Sequence, residues 1–159
     1  MNTAFASLNW LSILGATLLY YMLGALWFSP VAFGRFYDKA LGFERPPRWR
    51  PGAEFYLGPL VGCFLSAVAT AILLHATGCS SQRDAAILGL VAGLGYAGAV
   101  SGVNAITPKT PKPFLYGAVT GLYHTVGITI VAITEYLWRG HAELILNGHL
   151  LMLADEYPA

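Results

Sequence analysis

The sequence is poor in charge: Asp, Glu, Lys and Arg make up 11% of its 159 residues, against about a quarter in soluble domains. Hydrophobic residues make up 56%, and the mean hydropathy is +0.57. A soluble core of this size does not use so much apolar surface. The composition therefore excludes an ordinary soluble domain and indicates an integral membrane protein.

Cysteine is also scarce, and the two residues, Cys63 and Cys79, are sixteen positions apart. On one helix this spacing is a rise of about 24 Å, which excludes an intrachain disulfide. Enzyme signatures are missing as well: there is no carboxylate pair in an apolar run, no glycine-rich phosphate loop and no zinc-protease helix motif. We therefore expect no catalysis and no cofactor, and a net charge of +1 does not favour nucleic-acid binding.

What the sequence has instead is four long runs without Lys, Arg or Asp. Each has roughly the 20 residues that a helix needs to cross a hydrocarbon core of about 30 Å. They predict an all-α bundle, a single membrane domain over 1–159, with spans at about 5–29, 55–77, 85–106 and 114–138 and a tail at 139–159. The first run has no basic segment before it and is too long for the core of a signal peptide, so we interpret it as a span.

The basic residues predict the orientation. With four spans, seven of the nine Lys and Arg residues lie in the two loops that share one side, and two lie on the side of both termini. The positive-inside rule then puts the two basic loops in the cytoplasm and both termini outside. Pro30 is expected to end the first span at Ser29, which caps a short interfacial helix that ends at Gly42.

The segment "ERPPRWRPG" follows that helix, and its prolines favour an extended path. Its basic and aromatic side chains form a positive-inside anchor or, alternatively, a dedicated site for anionic lipid or a partner: Arg45, Arg48, Trp49 and Arg50.

Glycines spaced four apart predict close packing of the spans, because small residues let helix backbones approach in lipid. They are Gly58, Gly62, Gly89, Gly93, Gly98, Gly102, Gly117 and Gly121. A flexible or permeable path is the alternative. Gly95 adds a second small face to the third span, which is either central or faces a second copy.

Polar side chains inside the spans are the best indications of function, because each costs free energy unless it has a partner. His124 lies near the middle of the fourth span, on a face with Thr120 and next to Tyr123, and is expected to contact a tyrosine such as Tyr20, Tyr21 or Tyr96. It is either a neutral, hydrogen-bonded histidine or a site that responds to protons or ligand. Asn104, near the end of the third span, is a further polar candidate or a brace for the helix end.

On the outer side, four residues are weak candidates for copper or zinc: His75, Cys79, His141 and His149. Their spacing matches no strong ligand signature, and Gly78 is expected to break the helix before Cys79, so we expect no metal site. Glu135 is expected to be hydrated and to pair with Arg139. The tail after Trp138 is too short in its apolar part to span and is expected to lie at the outer interface, with its helix interrupted near 147–148.

The sequence resembles a family of small, four-span bacterial inner-membrane proteins that is catalogued as a domain of unknown function. The motifs that carry the resemblance run in order along the chain: "NWL" at 9–11, "GALWFSP" at 24–30, "FG" at 33–34, "KPF" at 112–114 and "YH" at 123–124. The resemblance implies a fold and a location in the inner membrane, and it implies no activity.

Two function classes remain. The first is a non-catalytic multi-pass module in the lipid bilayer, which associates with itself or serves as an accessory subunit of a larger membrane complex. The second is a small transporter or channel, whose path uses His124, Thr120, Tyr123 and Asn104. A four-helix span set has little interior volume and no charge at the bilayer centre, which favours the first class.

Overall fold

The computed structural model describes the backbone of residues 8–46 and 48–156 and the side chains of residues 8–46 and 48–138. Within these residues every regular element is helical: α1 (Trp10–Trp27), α2 (Gly34–Leu41), α3 (Glu54–Ala76), α4 (Gln82–Ala92), a π-helical segment (Gly93–Gly98), α5 (Ala99–Ala105) and α6 (Pro113–Glu156). Four helices are long and apolar enough to cross a membrane: Trp10–Trp27, Glu54–Ala76, Gln82–Ala105 and Pro113–Trp138. The predicted all-α fold with four such helices is confirmed, and the protein is a membrane protein.

Asn9 caps the start of the helix that forms the first span. The Asn9 side-chain oxygen accepts hydrogen bonds from the backbone N–H groups of Leu11 and Ser12 at 3.1 and 3.2 Å. A capping residue satisfies amides that have no partner inside the helix, and it stands outside the helix itself. The helix therefore starts at Trp10, and residues 5–7 of the predicted span lie outside the described residues.

The connection between α1 and α2 is a turn, and the predicted cap by Ser29 is wrong. The Ser29 hydroxyl donates to the backbone oxygen of Leu26 at 2.6 Å, so it points back into α1, which ends at Trp27. A serine often satisfies itself on a nearby carbonyl at a helix end in this way. Pro30 lies in the turn, and α2 begins only at Gly34.

Gly42 ends α2 as predicted, with a φ of +63°, in the left-handed region that favours glycine. The Phe43 amide then donates to the Asp38 carbonyl at 2.9 Å. The second basic loop meets α2 here, since the Lys112 amide donates to the Ala40 carbonyl at 3.1 Å. Both basic loops therefore lie at one end of the bundle, which we call the basic end. The α3–α4 turn lies at the opposite end.

The fourth span is the central one. α1, α3 and the α4–α5 span all pack against α6, and half of its most apolar stretch is buried (50%), against 11% for Gln82–Ala105. The third span therefore lies at the edge of the bundle and is not central. The core toward the opposite end consists of small and branched apolar side chains, among them Ile13, Ala16, Ala67, Ala71 and Val131.

Glycines bring the third span close to α6. A methyl group added at Gly89 would lie 2.7 Å from Cα of Thr129, and one added at Gly93 would lie 2.7 Å from Cα of Thr125. Carbon atoms in contact are normally about 3.5–4.0 Å apart, so neither position has room for a side chain. The glycines of α6 are close to the third span as well. A methyl group added at Gly117 would lie 3.2 Å from Cα of Gly102, and one added at Gly121 would lie 3.3 Å from the carbonyl oxygen of Gly98.

The two glycines on α3 do not make such contacts. A methyl group added at Gly58 or at Gly62 would have no atom of the described residues within 4 Å. Their spacing therefore does not bring α3 against another helix of this chain. Gly95, on the third span, also has open space around it.

At the opposite end, Glu135 is buried, contrary to the prediction that it is hydrated. It is 4% exposed, and the Ser12 hydroxyl lies 2.9 Å from its Oε2. The reason is that α1 covers this turn of α6, which sequence position alone does not reveal. The side chain of Arg139, its predicted partner, lies outside the described side chains.

α6 continues through the tail, so the interruption expected near Asn147 and Gly148 is wrong. The helix has 44 residues, a length of about 66 Å, and extends well past the span that ends at Trp138. Glycine costs only about 1 kcal/mol in a helix interior and asparagine less, which the apolar helix formers on both sides offset. The predicted position of the tail at the outer interface stays a prediction, because the side chains of the tail lie outside the described ones.

Candidate functional site

A cavity of about 1060 Å³ lies between α1, α3 and α6 at the basic end. Two features of α3 create it. Pro59 lies inside the helix and has no amide hydrogen for the carbonyl of Phe55, which weakens the first turns. Gly62, which lines the cavity, has no side chain to fill the gap. By contrast, α1 and α6 are held together, because the Trp27 indole donates to the Val119 carbonyl at 3.1 Å.

The cavity is open to the surface of the bundle between α1 and α3. Phe55 and Tyr56 line it and are 58% and 53% exposed, and the lining residues Ala25 and Gly62 on facing helices are exposed as well. The wall is mainly aromatic. Its rings are Tyr20, Tyr21, Phe28, Tyr37, Phe43, Trp49, Phe55, Tyr56, Tyr116 and Tyr123.

The deep part of the cavity, which we call the floor, contains Tyr20, Ser66 and His124. The Tyr20 hydroxyl lies 2.5 Å from Nδ1 of His124, and the two rings meet edge to face with centroids 6.2 Å apart. Room for the Tyr20 ring comes from Gly127, where an added methyl group would overlap the ring. The predicted contact of His124 with a tyrosine is therefore present, and the partner is Tyr20.

Tyr123 joins the floor to the packed core. Its hydroxyl lies 3.6 Å from Sγ of Cys63 and 3.5 Å from the Tyr20 carbonyl. Gly24 lets the ring approach α1, because an added methyl group there would lie 2.7 Å from the Tyr123 oxygen. Tyr123 is 6% exposed, so it supports the floor and presents little of its own surface.

The cavity ends at the basic end in a mouth formed by Asp38, Arg45 and Trp49. Arg45 binds Asp38 through two hydrogen bonds, from Nε at 2.6 Å and from Nη2 at 3.1 Å, a geometry that fixes both groups. The guanidinium carbon also lies 5.7 Å from the centre of the Trp49 ring, within cation–π range. Phe43 and Phe55 hold the same ring on either side, with centroids 5.4 and 5.7 Å away.

Tyr37 on α2 forms the wall beside the mouth. Its ring lies against that of Tyr116, with centroids 5.5 Å apart. Burial raises the pKa of Tyr37 to about 12, and Tyr116 contributes in the same direction. The phenol is therefore neutral at physiological pH, and the mouth has no charge beyond the Asp38–Arg45 pair among the described lining residues.

The predicted polar residues of the fourth span come together, and the one from the third span does not. His124, Thr120 and Tyr123 all line the cavity, although the Thr120 hydroxyl donates to the Tyr116 carbonyl of its own helix at 2.8 Å. Asn104 is exposed on α5 and is not among the lining residues. Asn104 therefore does not share this cavity with the residues of the fourth span. Its role as a polar candidate or as a brace for the helix end stays a prediction.

The basic and aromatic side chains of the segment "ERPPRWRPG" are divided in the same way. Arg45 and Trp49 line the cavity, whereas Arg48 and Arg50 are exposed and do not. Sequence reasoning missed the contribution of α3, which includes Cys63 and Ser66. The signal was present in the spacing of small, polar and proline residues along one face: Pro59, Gly62, Cys63 and Ser66.

The weak metal candidates do not form a site among the described side chains, where no three His, Cys, Asp or Glu residues lie together. His75 is exposed near the end of α3, and Gly78, with a φ of +62°, separates it from Cys79. Gly78 thus interrupts the helix as predicted. His141 and His149 lie outside the described side chains. Cys63 and Cys79 are both free thiols.

Comparison with known proteins gives one match. Residues 11–135 match the model of a family described as "Protein of unknown function (DUF1761)". The matched region contains α1 to α5, the cavity and the part of α6 that crosses the bundle. No curated protein and no solved structure matches the chain.

Proposed function

We propose that this chain, which belongs to the DUF1761 family, is a non-catalytic membrane protein that binds an amphipathic molecule in the cavity at the basic end. The observation that carries the proposal is the cavity itself. Its volume of about 1060 Å³ lies just above the range of small-molecule sites, which is about 300–1,000 Å³. Its largely apolar wall with a few polar groups is the composition typical of such sites.

The chemistry of the lining supports binding rather than catalysis. Among the described lining residues there is one imidazole, His124, held by the Tyr20 phenol, and one carboxylate, Asp38, held by the Arg45 guanidinium. The imidazole and the carboxylate lie at opposite ends of the cavity. General acid–base catalysis needs such groups within reach of one reacting atom.

The opening between α1 and α3 supports access from the lipid phase. A molecule dissolved in the membrane would reach the floor by passing between Ala25 and Gly62, which are exposed lining residues of facing helices. This route favours a ligand that is itself lipid-soluble, because it never leaves an apolar environment.

A pair of glycine variants tests the proposal. Gly62 and Gly95 both have open space where a side chain would begin, so a leucine at either position is compatible with the fold. Gly62→Leu fills the cavity, and Gly95→Leu, on the third span, leaves it intact. We expect native mass spectrometry of the full chain, purified in mild detergent, to detect a bound small molecule on the wild type and on Gly95→Leu and to find it depleted on Gly62→Leu. An empty wild type, or equal occupancy in both variants, contradicts the proposal.

The orientation belongs to the same proposal: the basic end lies in the cytoplasm of a bacterial inner membrane, and both termini lie outside. The support is the seven to two distribution of Lys and Arg between the two ends. The native cysteines provide the test, because Cys79 is partly exposed at the opposite end and Cys63 is buried. An impermeant maleimide added outside spheroplasts labels Cys79, and a Cys79→Ser variant stays unlabelled. Labelling only after the membrane is opened contradicts the orientation.

The third span supports the further proposal of self-association or of assembly with other membrane subunits. Only 11% of its apolar stretch is buried within the chain, Tyr96 is 75% exposed and Gly95 offers room for a close approach. Gly95→Leu should then weaken association while sparing ligand binding, the reverse of Gly62→Leu. Light scattering after size exclusion gives the mass of the complex, and a protein that is always monomeric excludes an obligate assembly.

A transporter is the second candidate, because the cavity reaches His124 in the middle of the fourth span. Its path would have to continue through the packed layer formed by Ile13, Ala16 and Val131, which are each 0% exposed. Transport therefore requires α1 or α3 to move. Flux into liposomes that is lost in His124→Ala and kept in His75→Ala would favour this function over binding alone.

A further inference from the structure

Resting on the proposed binding function, we propose that the molecule is a neutral, planar ring that carries carbonyl groups and a lipid-soluble tail, the chemistry of a quinone. The ring enters first and places a carbonyl oxygen at His124. The tail leaves between α1 and α3 into the membrane.

The floor has two polar groups without hydrogen-bond partners among the described residues. Nδ1 of His124 is occupied by Tyr20, which leaves Nε2, and no hydrogen bond is recorded for the Ser66 hydroxyl. Both side chains line the cavity. An acyl chain in the floor would leave both groups unsatisfied, at a cost of about 1–3 kcal/mol each, so the floor selects the polar end of a ligand.

The floor presents donors, which select a carbonyl. The Tyr20 side chain is buried, and Nδ1 of His124 is the one hydrogen-bond partner of its hydroxyl among the described residues. The tautomer of His124 decides which group donates, and the phenol proton has an acceptor there only when the phenol donates to Nδ1. With the phenol donating there, the imidazole carries its own proton on Nε2 and donates it to whatever occupies the cavity. A carbonyl oxygen accepts from Nε2–H and from the Ser66 hydroxyl. A ligand with donors alone would have no acceptor at His124.

The absence of free charge in the described lining selects a neutral ligand. Asp38 and Arg45 neutralise each other through two hydrogen bonds, so the mouth has no net charge that would attract a lipid phosphate. Arg48 and Arg50 lie outside the cavity. A charged group would lose hydration at the floor without gaining a counter-charge, and that loss is large in a low-dielectric site.

The aromatic wall selects a flat ring. Tyr123 contacts Tyr20 and Phe28, with ring centroids 5.2 and 5.1 Å away, and Phe55 and Tyr56 stand on the other side of the cavity. Rings interact favourably face to face with an offset or edge to face. The floor is also deep, since Ser66 is eleven residues along α3 from Phe55, a rise of about 17 Å. This depth accommodates a ring with the first part of its tail.

The test uses tritiated decylubiquinone and the full chain in detergent, with displacement by unlabelled decylubiquinone, by decylbenzene and by dihexanoyl phosphatidylglycerol. We expect saturable binding that the quinone displaces at least tenfold more effectively than decylbenzene or the phospholipid. His124→Ala should weaken binding about tenfold, and His124→Gln, which keeps a donor near the position of Nε2, should recover most of it. Ser66→Ala should weaken binding a few-fold. It keeps the fold, because the Ser66 hydroxyl bonds to no described residue.

The outcomes separate this inference from the proposed function. Two results overturn the ring assignment and leave the binding function standing. In the first, decylbenzene or the phospholipid displaces the bound quinone as effectively as unlabelled quinone does. In the second, quinone binding is unchanged in both His124→Ala and Ser66→Ala. The ring assignment alone is also overturned if the quinone does not bind, while native mass spectrometry detects another molecule on the wild type that is absent from Gly62→Leu. Absence of any bound molecule overturns both.

Discussion

A methyl group at Gly93 should destabilise the bundle, and the same group two residues away at Gly95 should not. At Gly93 the methyl carbon would lie 2.7 Å from Cα of Thr125 and 3.0 Å from its carbonyl oxygen, about 1 Å closer than van der Waals contact allows. Both atoms belong to the backbone, so no rotamer change relieves the overlap, and the third span must move away from α6.

The magnitude follows from two opposing terms. Overpacking of this kind costs typically about 1–3 kcal/mol, whereas replacing glycine by alanine in a helix gains up to about 1 kcal/mol. Gly93→Ala should therefore lose about 1 kcal/mol in the free energy of unfolding. Gly95→Ala has no atom within 4 Å and should gain up to about 1 kcal/mol. The difference of about 2 kcal/mol is roughly thirtyfold in the folding equilibrium.

Unfolding by SDS in mixed micelles, followed by circular dichroism, measures this difference. The two positions belong to the same π-helical segment, Gly93–Gly98, so the local backbone is matched and the contact with α6 is the variable. Equal stability of Gly93→Ala and Gly95→Ala would refute the reasoning, because it would mean that the two backbones are not in contact at Thr125.

Three further variants give independent checks by the same unfolding assay. Pro59→Ala restores a donor for the Phe55 carbonyl and should raise the free energy of unfolding by about 1–3 kcal/mol. It should also lower ligand occupancy. A loss of stability would contradict the role given to Pro59. Arg45→Ala removes the ion pair with Asp38, which is partly exposed, and should lower the free energy of unfolding by about 1 kcal/mol or less. The loss should be smaller at high salt. A loss of stability that does not depend on salt would argue against an electrostatic role. The pKa of Tyr37 rises from 10.0 to about 12 on folding, so the folded state holds the phenol proton more tightly than the unfolded state. The contribution of this proton to the free energy of unfolding is therefore complete below pH 10 and is lost between pH 10 and 12. A Phe substitution of Tyr37 should reduce that alkaline slope, and an unchanged slope contradicts the assignment.

The family assignment was also accessible from the sequence. Short motifs in order, such as "GALWFSP" at 24–30, carry a resemblance to a four-span family of unknown function, and the family match over residues 11–135 confirms it. These motifs have structural roles. Gly24 makes room for the Tyr123 hydroxyl, and Trp27 donates to α6.

The cavity was only partly predictable. His124 and its neighbours were identified because a polar side chain in an apolar run is conspicuous and helical spacing gives its face. The contribution of α3 was missed, since Gly62 was interpreted as a packing residue and Pro59 has no evident role until its neighbours are known. That Asn104 lies outside the cavity was not predictable for the same reason: spacing relates positions on one helix and does not tell which neighbour, if any, that face meets.

The sequence by itself determined the four helices, the clustering of basic loops at one end, the end of α2 at Gly42 and the interruption at Gly78, because apolar run length, charge and glycine conformation act locally. The tertiary structure alone decided that the fourth span is central, that Glu135 is buried beside Ser12 and that α1, α3 and α6 leave a cavity between them at the basic end. Those outcomes depend on which surfaces meet. In lipid, where apolar side chains gain little by leaving the solvent, that choice depends on the shapes of several helices at once and not on any one stretch of chain.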